Sequence, residues 1–340
     1  MQEKRLELSW YCYHTDLNRT RLPIPPFLRD DNQYKGNPPK CQLFLQYLHF
    51  HFSICDLPEN LIQSSDGIHP EKGLHPKASS ETEGHMNNHD ILLAAMEQSA
   101  IDANCSAMDF SRAENVIAYS KKNPAARRYL ELPLACNLIS YGNNVVASIE
   151  SKYEEIVRAY IEKYPRERCF ETPHMHILNR AFSAYDMQVC FMAEYFLPDM
   201  TQITPSVCPY PLKTLTAQDF SSLYVPEWSN ALCEKRRELD VLGVGAYDGN
   251  RLVGLAACSA DCDTMWQIGV DVLPGYRRKG IASALTSNLA REILDRGKIP
   301  FYCCAWANIG SARNAIRSGF RPAWTEMTIK SSDFVAEMNR

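Results

Sequence analysis

Residues 264–297 leave the chain little freedom. Thr264–Leu273 sets Trp266, Ile268, Val270 and Val272 on alternate positions, the period of a strand. Pro274-Gly275 stops it. Ile281–Arg296 then gathers Ile281, Leu285, Leu289, Ala290, Ile293 and Leu294 on one helical face, closed by Gly297. A strand and a helix so close in sequence, each with an apolar face, must pack as adjacent layers of one core. The joint between them is Arg277-Arg278-Lys279-Gly280-Ile281-Ala282. It sets three cations just ahead of a helix N-terminus, whose first N–H groups have no partner and carry partial positive charge. Gly280 lets the backbone approach a ligand with no Cβ in the way, and Ala282 keeps the first turn narrow. A diphosphate fits such a place. A solvated basic turn reads the same way when taken alone. Neither GxxxxGK[ST] nor GxGxxG occurs, which sets aside P-loop and dinucleotide-binding folds.

The rest of 206–340 extends this unit. Val241–Ala246 and Arg251–Ala257 read as strands about the turn Tyr247-Asp248-Gly249-Asn250. Pro300–Trp306 is a further strand, Ser311–Ser318 a short helix ended by Gly319-Phe320, and Ala323–Ile329 a last strand. The order predicts an α/β (α+β) domain, 206–335, on a mixed sheet flanked by helices. Residues 86–205 read as a smaller N-terminal α/β domain. It has a helix over Ile91–Asn104, a strand at Val116–Tyr119 and a hairpin over Leu138–Ile149 about Gly142-Asn143-Asn144. A helix over Ser151–Tyr164 follows, with Ser151 as cap and Glu154 completing a capping box, and then a strand at Gln188–Leu197. Residues 1–85 are rich in Pro, Asn, His and Ser and are expected to be a poorly ordered extension, with Met86 as an alternative translation start.

Composition narrows the function. With 36 Lys+Arg against 40 Asp+Glu the net charge is −4, which speaks against broad nucleic-acid binding. No apolar run approaches the length of a membrane span, and the first ten residues lack a signal peptide's apolar core, so a cytoplasmic protein with no membrane contact is expected. The 13 cysteines form no CxxC pair and read as scattered reduced thiols. His49-x-His51 and His174-x-His176 lack further ligands at zinc spacing, so no metal is expected.

The stretch from Gln267 to Phe320 resembles the GNAT superfamily of N-acetyltransferases. Arg277, Gly280 and Ala282 meet that family's [Q/R]-x-x-G-x-[G/A] signature. Val270-Asp271-Val272-Leu273-Pro274-Gly275-Tyr276 resembles its splayed strand and the exit from it, and Asn308-Ile309-Gly310-Ser311 with Gly319-Phe320 resembles its downstream element. From Met86 onward the chain is also similar to a bacterial GNAT subgroup with an extra N-terminal α/β domain. The resemblance implies acetyl-CoA as cofactor and a small-molecule or protein amine as acceptor. It implies that Val270 and Val272 pair with the pantetheine arm through their backbone, and that Arg277, Arg278, Lys279, Gly280, Ile281 and Ala282 hold the diphosphate. Asn308 and Ser311 would lie beside the cofactor.

Many members carry a Tyr acid seven residues after that Asn; here the position is Ala315, with Tyr276 and Tyr302 as substitutes. Asp271, facing away from Val270 and Val272, is the candidate base, with Glu238 and Asp240 as alternatives. Trp266, Trp306 and Trp324 would line an acceptor site or pack a core. The competing expectation is a GNAT module that senses acyl-CoA without turnover.

Overall fold

The computed structural model describes residues 86–340. The expected poorly ordered extension, 1–85, lies outside them. Ten strands form one mixed sheet in the order β1-β3-β2-β10-β4-β9-β8-β7-β6-β5. They are β1 Val116–Tyr119, β2 Cys136–Ser140, β3 Val146–Ile149, β4 Met187–Pro198 and β5 Leu212–Thr216. The remainder are β6 Asp240–Asp248, β7 Arg251–Ser259, β8 Met265–Val272, β9 Ile299–Ala305 and β10 Phe320–Ser331. The helices are α1 Asn88–Ala103, α2 Glu154–Lys163, α3 Thr172–Ser183, α4 Ile281–Leu294, α5 Ile309–Arg317 and α6 Ser332–Met338.

The joint at 264–297 is built as its periodicity requires. Ile281, Leu285, Leu289 and Ile293 of α4 are buried against Leu242, Val244, Val253 and Ile268, with Val270 and Val272 at the margin. Each such side chain contributes about 1.5–3 kcal/mol on leaving water. On the same side of the sheet, α2 and α3 cover β2, β3 and the far end of β10 through Val157, Ile161, Leu178 and Phe182. The opposite side is covered by α1, over Ile139, Tyr195, Phe301 and Trp324, and by the segment 217–239, whose Phe220, Trp228 and Leu232 pack on Leu255 and Ala257.

Several local expectations change. α1 starts two residues after Met86, capped by Asn87, whose side chain accepts from His89 and Asp90. Ser151 does not cap the next helix: it opens a single 3-10 turn leading into α2, and neither Glu150 nor Tyr153 caps by side chain. α3 has only Leu178 and Phe182 buried, a stripe too thin to register as a period. β5 and α6 were also unforeseen. Between the two segments read as domains, the sheet is continuous. β10, from the C-terminal segment, pairs antiparallel with β2 and with β4.

One charged group is sealed inside. Arg127 is 1% exposed; its Nη1 lies 3.1 Å from Asp102 of α1 and 3.4 Å from Glu326 of β10. Glu326 also accepts from Asn137 (3.1 Å) and Trp324 Nε1 (2.8 Å). Burial pushes the Asp102 carboxyl above its usual range, against the pull of Arg127. This knot ties α1, β2 and β10 together. Among the described residues no helix is long and apolar enough to cross a membrane, no cluster of side chains could hold a metal ion, and no cysteine is in a disulfide.

Candidate active site

The sheet opens at β8. On one side β8 pairs with β7 from Gln267–Ser259 to Val272–Gly254. On the other it pairs with β9 only at Met265–Ile299, Trp266–Pro300 and Gln267–Phe301. From Tyr302 to Ala305, β9 follows β4 instead. The parallel pair therefore diverges after Gln267, and that edge of 268–272 has no strand partner among the described residues. Such an edge accepts an extended ligand that carries amide groups of its own.

The helix end beside this opening suits an anion. Gly280 caps α4 at φ +78°, and no side chain caps the helix, so the first-turn N–H groups stay unpaired within it. A Cβ on Gly280 would meet nothing within 4 Å, so the space in front of it is open. Arg277 turns back, its Nε donating to the Val272 carbonyl at 2.9 Å. Lys279 lies over the Tyr276 ring, 5.2 Å from its centre. Arg277, Arg278 and Lys279 are all exposed. Val270, Val272 and Arg277–Ala282 thus stand along one wall of the opening.

β9 and α5 make the other wall. Asn308 caps α5, its Oδ1 accepting from Ser311 N at 3.1 Å. The Asn-x-x-Ser spacing is therefore first of all a helix start. The Ser311 hydroxyl is 2.8 Å from that of Tyr302, the first β9 residue beyond the last β8 pair. Ala315 is buried in the core. Tyr276 points elsewhere and donates to Asp248 at 2.9 Å. Of the tryptophans, Trp324 is stacked between Tyr141 and Tyr195 in the core, Trp266 packs against the α4 cluster, and Trp306 is exposed.

The face of β8 turned from α4 carries Gln267, Gly269 and Asp271. Asp271 faces away from Val270 and Val272, as alternation requires. Its carboxylate takes three donors: Asn230 N (2.8 Å), Asn230 Nδ2 (2.6 Å) and Ala231 N (3.0 Å). Burial raises its pKa and these bonds oppose the rise. They hold the 230–231 segment hard on Gly269, where a Cβ would come within 1.9 Å of the Asn230 carbonyl oxygen. Between that segment and the sheet lies a small open cleft of about 30 Å3, lined among others by Cys233, Arg236, Asp240, Ser259 and Gln267.

Asp240 is 2% exposed; desolvation lifts its carboxyl to about 7, against the pull of the Cys233 N–H, Tyr224 and Arg236. Glu238 is exposed to solvent. Asn230, Arg236, Ser259 and Gln267 were not singled out from the sequence. The available signal was the second face of β8, where Gln267, Gly269 and Asp271 replace the apolar residues that a covered strand carries on both faces.

A family model described as GNAT acetyltransferase matches residues 139–323, just over half of the chain. A search of curated proteins returned no match. Solved structures that resemble the chain include a GNAT-family protein from Novosphingobium aromaticivorans, 18% identical, covering 43% of this chain and 68% of that one at a TM-score of 0.33. Another is a GCN5-related N-acetyltransferase-like protein from Streptococcus suis, at 19%, 47%, 69% and 0.35. A third is yncA from Salmonella typhimurium, solved with its cofactor acetyl-CoA, at 16%, 37%, 95% and 0.27.

Proposed function

The chain belongs to the GNAT acetyltransferase family, and we propose that it moves an acetyl group from acetyl-CoA to an amine at the opening between β8 and β9. The observation that carries this reading is the conjunction of an unpartnered strand edge over 268–272 with an uncapped helix N-terminus at Gly280. Acetyl-CoA supplies the activated acetyl group as a thioester, whose thiol leaves readily because thiol pKa values lie near 8.5. In this reading the edge of Val270–Val272 pairs with the pantetheine amides. The N–H groups from Arg278 to Ala282 take the diphosphate, with the exposed cations screening its charge. Tyr302, with its hydroxyl held on Ser311, stands at the base of the opening, where it can donate to a leaving sulfur in place of a residue at 315. Asp271 positions the 230–231 segment that walls the acceptor side.

The test is calorimetric titration of acetyl-CoA into the full chain and into Gly280→Val. A side chain there enters open space, so the fold survives. The left-handed φ costs roughly 1–2 kcal/mol for a residue with a Cβ. Affinity in the variant is expected to fall at least about tenfold, or 1.4 kcal/mol. Equal affinity in the two proteins would remove Gly280 from the site. No binding to folded wild-type protein would remove the function. The buried Ala315 supports a second reading, acyl-CoA binding without turnover. Thiol release in the presence of simple amines separates the two.

A further inference from the structure

We propose that the outward face of α5 docks on an anionic lipid surface. Trp306, Ile309 and Ile316 enter the headgroup layer, and Arg313 and Arg317 meet the lipid phosphates and carboxylates. This goes beyond the acetyl-transfer reading and does not depend on it.

The first support is a helix face of inverted polarity. α5 packs inward through Ala315, through Ser311 on Tyr302, and through Asn314, whose Nδ2 donates to Thr286 of α4 at 3.0 Å. Spacings of four and seven gather Ile309, Arg313 and Ile316 on the opposite face. There Ile309 and Ile316 are each 54% exposed, and Trp306, just ahead of the helix, is 56% exposed. The solvent face of a helix ordinarily carries polar residues. No other stretch of this length among the described residues exposes three large apolar side chains.

The second is charge. The chain is net acidic, yet no Asp or Glu occurs over 297–325, which contains α5. None occurs over 272–291 either, which contains the part of α4 that α5 touches through Thr286 and Ser283. Glu292 and Asp295, toward the other end of α4, are paired with Arg296 and Arg291. Asp199, whose N–H donates to the Gly319 carbonyl, is held by Asn88 and Thr201 with Arg321 beside it. Arg313 and Arg317 are exposed, and neither has an ion-pair partner among the described residues. The face is therefore positive on a negative molecule, and complements an anionic leaflet.

The third is shape. The outward face of a helix is convex, with no groove to take a partner helix. A two-fold contact through it would set Arg313 and Arg317 against the same residues of a second copy. A lipid surface has neither difficulty. It moulds to a convex apolar stripe and supplies the countercharge for both arginines. The expectation of no membrane contact rests on the lack of an apolar span, and lying on a surface needs none.

The test is sedimentation of the full chain with vesicles of phosphatidylcholine, alone and mixed with phosphatidylserine. Binding is expected only to the mixed vesicles. Each Arg at such a surface contributes about fivefold in partition, so Arg313→Gln with Arg317→Gln is expected to weaken binding about 25-fold. Ile309→Gln with Ile316→Gln is expected to weaken it at least about tenfold. All four positions face solvent, so Tm is expected to hold in both variants. Phosphatidylcholine brominated on its acyl chains, added to the mixed vesicles, is expected to quench fluorescence in wild type and not in Trp306→Phe.

No sedimentation with the mixed vesicles overturns the proposal. So does binding that both double variants retain, or quenching that survives Trp306→Phe. Loss of docking at saturating acetyl-CoA would assign the face to the cofactor and overturn it too. A dimer that Ile309→Gln with Ile316→Gln dissociates would assign the face to a second copy, with the same result. Docking by a protein that binds no acetyl-CoA removes the acetyl-transfer reading and leaves this inference standing.

Discussion

Asp261 illustrates what a single buried carboxylate does to the molecule. It is fully buried, with Arg236 3.9 Å away. Burial lifts its carboxyl from 3.8 to about 7, against the pull of Arg236, the Ser259 hydroxyl and Arg127. The folded state therefore holds this proton more tightly than the unfolded chain does. The stability it contributes is complete below pH 3.8 and is lost as pH rises through 7, by at most roughly 4 kcal/mol. Asp261→Asn removes the titration. Its Tm, followed by calorimetry, is expected to gain steadily on wild type from pH 4 to pH 8. A gap that stays constant across that range would show that Asp261 titrates alike in both states. No local sequence signal marked this residue, because Asp261-Cys262-Asp263 has the composition of a solvated turn. The Arg128 N–H, which donates to the Asp261 carbonyl at 2.8 Å, helps bury it, and that contact spans more than 130 residues.

At the scale of elements, local chemistry and pairing divide the labour. The strand–turn–helix unit at 264–297 is readable because alternation, Pro-Gly and an i, i+4 stripe are all short-range signals. α4 begins at the expected Ile281. The divergence of β8 from β9 is not readable from periodicity, since it depends on β9 finding β4 as a second neighbour; only the resemblance to the GNAT family implied a splayed strand there. The bulge in β6 between Asp240 and Leu242 is equally hidden, being a property of two strands together. Asp271 shows both halves. Its outward face follows from the pleat, while its three donors come from a loop some 40 residues earlier. Gly269 belongs with it. Gly269→Ala would drive a Cβ into the Asn230 carbonyl, lift the 230–231 segment and strip those donors from Asp271. Overpacking of this kind costs about 1–3 kcal/mol, and the cleft loses its wall. The expected result is a lowered Tm together with a raised KM for the amine and little change in acetyl-CoA affinity. Wild-type values for both would mean that the segment does not bear on Gly269 in solution.

The whole molecule depends on β10. It lies in the middle of the sheet, between β2 and β4, and through Glu326 it anchors the buried Arg127 that also holds α1. The boundary expected near residue 205 falls in the loop between β4 and β5, yet the sheet passes across it. A fragment beginning at 206 keeps the Gly280 loop but leaves β9 and β10 without β4, exposing two long strand edges. Such a fragment is expected to aggregate or to lack a cooperative thermal transition, and to bind no acetyl-CoA. A soluble, cooperatively melting fragment would show that the C-terminal segment folds alone.

The same strand sets a schedule for synthesis. β2 emerges early, but its neighbour β10 is made about 190 residues later. At about 5–20 residues per second, the ribosome takes on the order of 10–40 s to deliver it. Throughout that interval β2 and β4 each wait with an open edge, and Asp102 and Arg127 wait without Glu326. The nascent chain thus carries unpaired strand edges over that interval, and the opening between β8 and β9, bounded by β9 on β4, is complete only after β10 has been made.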